Sequence, residues 1–213
     1  MSLADLERRL GRRLARGATN VAVAQPRLWG GVRWLMRRQF ERLAPEWQAM
    51  RRPDAFAALE RALAAIETPP KRVLDLGTGT GAAAFIAADR FPEAEVVGVD
   101  IAEGMLAEAR AGTPPELAGR VRFETADGSE LPFEDHSYEL VVLANMIPFF
   151  DELARVVAPG GGVVFSFSAG PETPIWVSPG RLRRELSVRG FSDFADFAAA
   201  AGTALLARKE KGD

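Results

Sequence analysis

Along the first third of the chain, apolar residues recur every three or four positions, the spacing of a helix with one buried face. Leu3, Leu6, Leu10 and Leu14 are separated by arginines and predict a basic amphipathic helix that Gly17 ends. Trp29, Val32, Leu35, Met36, Phe40 and Leu43 predict a second helix. Phe56, Leu59, Leu63 and Ile66 predict a third, and Pro69-Pro70 closes the helical region. From Lys71 onward the period changes to short β-rich runs that alternate with helical stretches, the pattern of a parallel sheet with crossover helices. Strands are expected at 72–76, 95–99, 120–124, 138–144 and 162–168, and helices at 80–91, 103–111, 149–157 and 179–189. Two further β-like runs, 191–198 and 202–208, meet at Ala201-Gly202. That gap is too short for a helical crossover, so these two strands should pair antiparallel.

A chain of 213 residues builds one sizeable core with an appendage rather than two independent catalytic domains. The division falls between a helical extension or lid at 1–68 and a ligand-binding domain at 69–213. With 47% hydrophobic and 26% charged residues, the composition is that of a globular protein. The chain has no cysteine and one histidine, His136, which excludes disulfides, thiolate nucleophiles and multi-His or Cys metal sites, so no metal is expected. No apolar run reaches the length of a membrane span, and the acids and arginines of the first residues do not make a secretory signal, so a cytoplasmic protein is expected. Net charge is −2 but unevenly spread, with twelve arginines against four acids in residues 1–52. The expectation is a basic appendage docked on an acidic body.

The stretch that carries chemistry is Val73-Leu74-Asp75-Leu76-Gly77-Thr78-Gly79-Thr80-Gly81, an apolar strand running into a glycine loop and then a helix. Glycines let the backbone turn sharply there and bring main-chain N–H groups close to a ligand at the helix N-terminus. Gly77, Gly79 and Ala82 also satisfy the fingerprint of dinucleotide-binding folds, so a nicotinamide enzyme is a rival at this point. Asp75 argues against it, because its charge opposes a pyrophosphate and attracts an ammonium group. Asp100 ends the second strand nineteen residues after Gly81, where a ribose-binding carboxylate belongs. Ala126-Asp127-Gly128 follows the third strand and supplies an acid able to accept from an adenine amino group. Taken singly, each aspartate is as well read as a helix cap or turn residue. Jointly, three acids and a glycine loop converge on one edge of the sheet.

With these motifs the chain resembles the class I S-adenosylmethionine-dependent methyltransferases from about Arg72 to Lys209. Asp75 to Gly81 is similar to that family's first motif, Asp100 to its ribose acid and Asp127 to its adenine-side acid. Leu131-Pro132-Phe133 with Ser137 to Val142 resembles the run into the fourth strand, and Arg155 to Gly161 the turn into the fifth. The resemblance implies an α/β Rossmann-like three-layer sandwich, with a seven-stranded, mostly parallel sheet whose last strand is antiparallel. It implies S-adenosyl-L-methionine as cofactor, and a site formed by Asp75, Gly77, Thr78, Gly79, Gly81, Asp100, Ile101, Met105, Ala126, Asp127, Gly128 and Asn145. Gly77 and Gly79 would pass under the methionine part, Ile101 and Met105 would flank the adenine, and Asn145 would stand beside the transferring methyl. Between Asn145 and Pro159 the connection is shorter than the family's common pattern.

No residue stands out as a general base. His136 lies in a polar turn at the edge away from the crevice, and Asp151 and Glu152 suit a helix start. The acceptor pocket is expected from the N-terminal helices and Pro171 to Trp176, with Trp47 as a cover and Trp29, Trp34 and Trp176 as further aromatic surface. This apolar lid points to a small hydrophobic or aromatic methyl acceptor. The rivals are a cofactor-binding module without catalysis and an enzyme acting on nucleic acid or a lipid-like acceptor. Nucleic acid is disfavoured: Asn145-Met146-Ile147-Pro148 lacks the Asn-Pro-Pro-aromatic run of many base-amino methyltransferases, and the arginines are interleaved with leucines. Peripheral membrane contact through the basic helix at 1–18 is the third possibility.

Overall fold

The computed structural model describes Gly17, Thr19 and residues 29–47 and 52–212, without the side chain of Val32. The first apolar repeat, Leu3 to Leu14, lies outside the described residues. Gly17, expected to end that helix, is itself helical, as is Thr19.

Seven strands form one sheet: β1 (Arg72–Leu76), β2 (Glu95–Asp100), β3 (Val121–Thr125), β4 (Tyr138–Ala144), β5 (Val157–Phe167), β6 (Phe191–Ala199) and β7 (Gly202–Lys209). Their order is β3-β2-β1-β4-β5-β7-β6. The first five run parallel, and β7 is antiparallel to both β5 and β6. The hairpin expected around Ala201-Gly202 is therefore present. Helices α1 (Trp29–Trp47) and α2 (Ala57–Ala64) precede the sheet; α3 (Ala82–Arg90), α4 (Glu103–Ala111), α5 (Phe150–Val156) and α6 (Pro179–Ser187) are interleaved with it. One correction concerns β5, which begins at Val157 rather than at 162. Val157 pairs with Tyr138, and the register then shifts before Gly162 pairs with Leu140. The turn expected from Arg155 to Gly161 is thus divided: Arg155 and Val156 end α5, and the rest is an irregularity carried inside the strand, with Gly160 at φ +77.

Because successive strand residues point to opposite faces, the core divides into two. Leu74, Leu76, Val97, Val99, Val141, Leu143 and Phe165 pack with α5 and α6. Val73, Val96, Leu140, Val142 and Val164 pack with α2, α3 and Leu106 and Ala109 of α4. The alternation puts Asp75 on the second face, in register with Val73 and toward α3. Apolar burial on both faces is the pattern of a sheet covered by helices on each side.

Strand β1 lies between β2 and β4, so the chain order reverses there. Ligands of open α/β sheets bind at the carboxyl ends of the strands beside such a reversal.

Candidate functional site

The loop after β1 is held by geometry only glycine supplies. Gly77, Gly79 and Gly81 all have positive φ, at 74, 55 and 84°. The N–H groups of Gly77 and Thr78 both donate to the carbonyl of Val99 at 2.9 Å, which ties the loop to β2. Gly81 forms the N-cap of α3, and a Cβ there would stand 2.9 Å from the rings of both Phe123 and Phe85. Gly98 is confined in the same way: a Cβ would meet Phe123 at 2.6 Å and the Thr78 hydroxyl at 2.7 Å.

Asp100 joins the loop to the next helix. Its Oδ2 accepts from the Gly79 N–H at 3.0 Å and its Oδ1 from the Ala102 N–H at 2.9 Å. Burial raises its pKa, against the lowering effect of these N–H groups and that of Ile101. Each oxygen keeps a lone pair, so the carboxylate can still accept from a pair of hydroxyls.

Asp75 is fully buried. Its Oδ2 accepts from the Thr78 hydroxyl at 2.6 Å, whereas its Oδ1 has no hydrogen-bond partner. Burial holds the carboxyl at about 7 instead of the ordinary 3.8; Thr78 and the Ala84 N–H at the start of α3 pull the other way, and Asp100 adds repulsion. A buried carboxylate oxygen without a donor is costly, and a cation beside it would relieve that cost.

Asp127 is engaged by the N-terminal helix. Its Oδ1 accepts from the Trp29 indole N–H at 2.9 Å and from the N–H and hydroxyl of Ser129 at 2.9 and 2.8 Å; its Oδ2 pairs with Arg33 at 3.1 Å. Burial alone would raise its pKa, but these bonds together hold it below the usual value. Trp29 also meets Phe149 edge-on at 5.3 Å, and a Cβ on Gly128 would press on Phe149 and Leu76 at 3.1 and 3.2 Å. Ala126 donates its N–H to the Asp100 carbonyl at 3.1 Å.

Helix α1 roofs this rim. Glu41 caps α4, accepting from the N–H groups of Glu103 and Gly104 at 2.9 and 2.8 Å. Met105, 1% exposed, is buried with Ala44 and Ala102 against Phe40, Leu43 and Trp47 in the seam between α1 and α4. Ile101 is half-buried at the rim. Trp47 brings its indole nitrogen within 3.6 Å of where a Cβ on Gly79 would stand. At the end of β4, Asn145 takes a φ of +54 and its side-chain oxygen accepts from the Ser168 N–H at 2.9 Å, clasping the ends of β4 and β5. Met146 turns back over the glycine loop, its sulfur 2.6 Å from the position of a Gly77 Cβ.

The twelve residues read from sequence lie around the carboxyl ends of β1 to β4, but Asp75 is buried beneath α3 and Met105 is buried between α1 and α4 instead of facing the rim. The contacts of Met146 with Gly77, and of Trp29 and Arg33 with Asp127, had no sequence signal, because they join positions far apart in the chain. The residues read as bystanders are elsewhere: His136 sits in an exposed turn against the Val157 carbonyl, Asp151 pairs with Arg189, and Glu152 pairs with Arg155. The connection after Asn145 is short, a few residues and the seven-residue helix α5. No group of residues able to hold a metal ion occurs among the described residues.

Chemically the rim matches a nucleoside with a cationic tail. It offers a strand-end carboxylate for hydroxyls, an unpartnered carboxylate oxygen for a cation, a glycine loop for close approach and an apolar seam at α4. Residues 73–161 match the family model described as a methyltransferase domain. The chain is 42% identical over 147 residues to a demethylmenaquinone methyltransferase of Thermus thermophilus, a match covering 62% of this chain and 66% of that protein. It is 38% identical over 148 residues to a malonyl-[acyl-carrier protein] O-methyltransferase of Halorhodospira halophila, covering 65% and 49%. The chain thus spans between about half and just under two thirds of the length of these curated relatives. The structure of human N-acetylserotonin methyltransferase in complex with SAM has the same fold, with a TM-score of 0.61 at 20% identity, covering 82% of this chain and 57% of that one. Motifs, sheet order and relatives agree: residues 73–161 form a methyltransferase domain, in a chain with the fold of the class I S-adenosylmethionine-dependent methyltransferases.

Proposed function

We propose that the protein is an enzyme that transfers a methyl group from S-adenosylmethionine to a small hydrophobic or aromatic acceptor, with residues 1–68 as cover and 69–213 as cofactor-binding domain. The observation that carries the cofactor half of this reading is the pair of aspartates around the glycine loop. Asp100 has lone pairs left for the ribose hydroxyls, and charge-assisted hydrogen bonds of that kind are about twice as strong as neutral ones. Asp75 has a free oxygen for the ammonium group, and Gly77, Thr78, Gly79 and Gly81 form the floor beneath the amino-acid tail. Ile101, Met105 and Ala126 to Gly128 make the base side. Asp127 would exchange its bond from Trp29 for one from the base, which couples cofactor entry to the position of α1.

When bound, the cofactor supplies an activated methyl on a sulfonium, so the chain's own task is to orient and to exclude water. Asn145 closes the end of β4 beside the reacting centre, Trp47 and Met146 form an apolar cover above the loop, and Trp29 stands over Asp127. The described lysines and the histidine stand away from the rim: Lys209 is bonded to the carbonyls of Ala154 and Val157 next to His136. An acceptor whose nucleophilic atom ionises readily by itself suits such a site, and one relative is named for the methylation of demethylmenaquinone. No described helix is long and apolar enough to cross a membrane, which fits a cytoplasmic enzyme with access to apolar metabolites.

The test is transfer of a tritiated methyl from the labelled cofactor to a panel holding reduced naphthoquinones and malonyl thioesters. Label in the organic-extractable product supports the reading. Tight cofactor binding without transfer to any member, or to cell extract, would favour a non-catalytic cofactor-binding module instead.

A further inference from the structure

Helix α1 has two faces, and the cofactor crevice uses one of them. Trp29, Arg33, Met36, Phe40, Ala44 and Trp47 turn toward the body. Trp34, Leu35, Arg38 and Arg42 fall within an arc of about 100° on the far side, at 3.6 residues per turn. Trp34 and Leu35 are 64% and 59% exposed, among the few large apolar side chains left in solvent by the described residues. The Arg38 guanidinium stacks over the Trp34 ring at 5.5 Å, and Arg42 is exposed. Arg37 adds a charge beside them, with only a long 3.8 Å approach to Glu41. Glu41 spends its carboxylate on the N-terminus of α4, so it does little to offset the outward arginines; Glu46, which is exposed, lies about 20° beyond one edge of the arc.

We propose that this outer face of α1 is a docking surface for an anionic lipid bilayer. Tryptophan settles at the headgroup level, a neighbouring leucine adds apolar burial, and arginines pair with lipid phosphates. A surface built only for the phosphates of nucleic acid would have no use for an exposed leucine beside the tryptophan. The charge fits the same occupant: the outer arc of α1 is basic on a chain whose net charge is negative, so attraction to an anionic surface is local to this helix. The inner face of the same helix holds Asp127 and covers Gly79, so the lipid-facing side and the crevice-facing side are one rigid element. An acceptor dissolved in the bilayer would then reach the crevice along α1. The surface itself stands apart from the methyl-transfer reading, because docking requires neither cofactor nor acceptor.

The test is co-sedimentation of the full chain with vesicles of phosphatidylcholine alone and of phosphatidylcholine with one third phosphatidylglycerol, at low and at physiological salt. The wild-type chain should sediment with the anionic vesicles only, and less as salt rises. The pair Arg38→Gln/Arg42→Gln should weaken that binding at least about tenfold, since each arginine near an anionic surface contributes roughly fivefold. The pair Trp34→Ala/Leu35→Ala should weaken it too while leaving the circular dichroism spectrum unchanged, because neither side chain is buried. Absence of sedimentation with anionic vesicles would overturn the proposal, as would binding unaltered in both pairs. Retention of duplex DNA more tightly than vesicles, lost in the arginine pair, would assign the face to nucleic acid and equally overturn it.

Discussion

Asp75 allows a prediction whose size follows from its surroundings. The carboxyl is buried on the α3 side of the sheet and titrates at about 7 against an ordinary 3.8. The unfolded chain therefore releases this proton at lower pH than the folded one. Below pH 3.8 both states hold the proton and the group costs nothing; between there and 7 the folded state alone keeps it, so stability falls as pH rises. The slope approaches ~1.4 kcal/mol per pH unit, and across the interval the loss is about 4 kcal/mol. Asp75→Asn abolishes the titration. Urea denaturation of both proteins at half-unit steps from pH 4.5 to 8 should give stability curves that converge toward acid and separate toward neutral pH, with Asp75→Asn the more stable above 6. Other titrating groups cancel in the difference. Parallel curves would refute the argument that burial of Asp75 governs this range. A cofactor arm follows from the unpartnered oxygen. If it receives the ammonium group, the affinity for S-adenosylhomocysteine should fall roughly tenfold per unit below pH 7, while that for 5′-methylthioadenosine, which lacks the amino acid, should not. Equal profiles for the two ligands would remove the ammonium assignment and leave the stability result standing.

Three further outcomes are expected. If Asp100 holds the ribose as proposed, Asp100→Ala should weaken cofactor binding by at least about tenfold in calorimetry, since the hydroxyls would lose a charged acceptor and the Gly79 and Ala102 N–H groups lose their partner. Gly98→Ala should lower stability by ~1–3 kcal/mol, read as a drop in thermal midpoint, because its methyl would stand 2.6 Å from Phe123 inside a packed strand. Arg155→Ala should lower stability by about 1–3 kcal/mol without altering cofactor affinity: its guanidinium bonds the Phe133 and Leu131 carbonyls at 2.6 and 2.9 Å and Glu152 at 2.7 Å, at the end of the sheet opposite the crevice.

Much of this architecture could be read from the chain because its signals are local. Short continuous apolar runs and helical stretches at period 3.6 mark β1 to β4 and α3 to α6 to within a few residues, since strands buried on both faces and helices buried on one display that burial in their own sequence. The glycine loop was legible for a similar reason: three positive φ angles within five residues admit little but glycine. The start of β5 was not legible, because Val157 joins the sheet through a register shift that only the partner strand defines. Tertiary structure alone decided what each acid does. Asp75 and Asp100 are the same residue type at two strand ends, yet alternation turns Asp75 inward beneath α3 while Asp100 reaches across to Gly79. Asp127 meets Trp29 and Arg33 across more than ninety residues, and Met146 meets Gly77 across sixty-nine. Such contacts depend on how layers stack, and stacking is a property of surfaces that no local window of sequence contains.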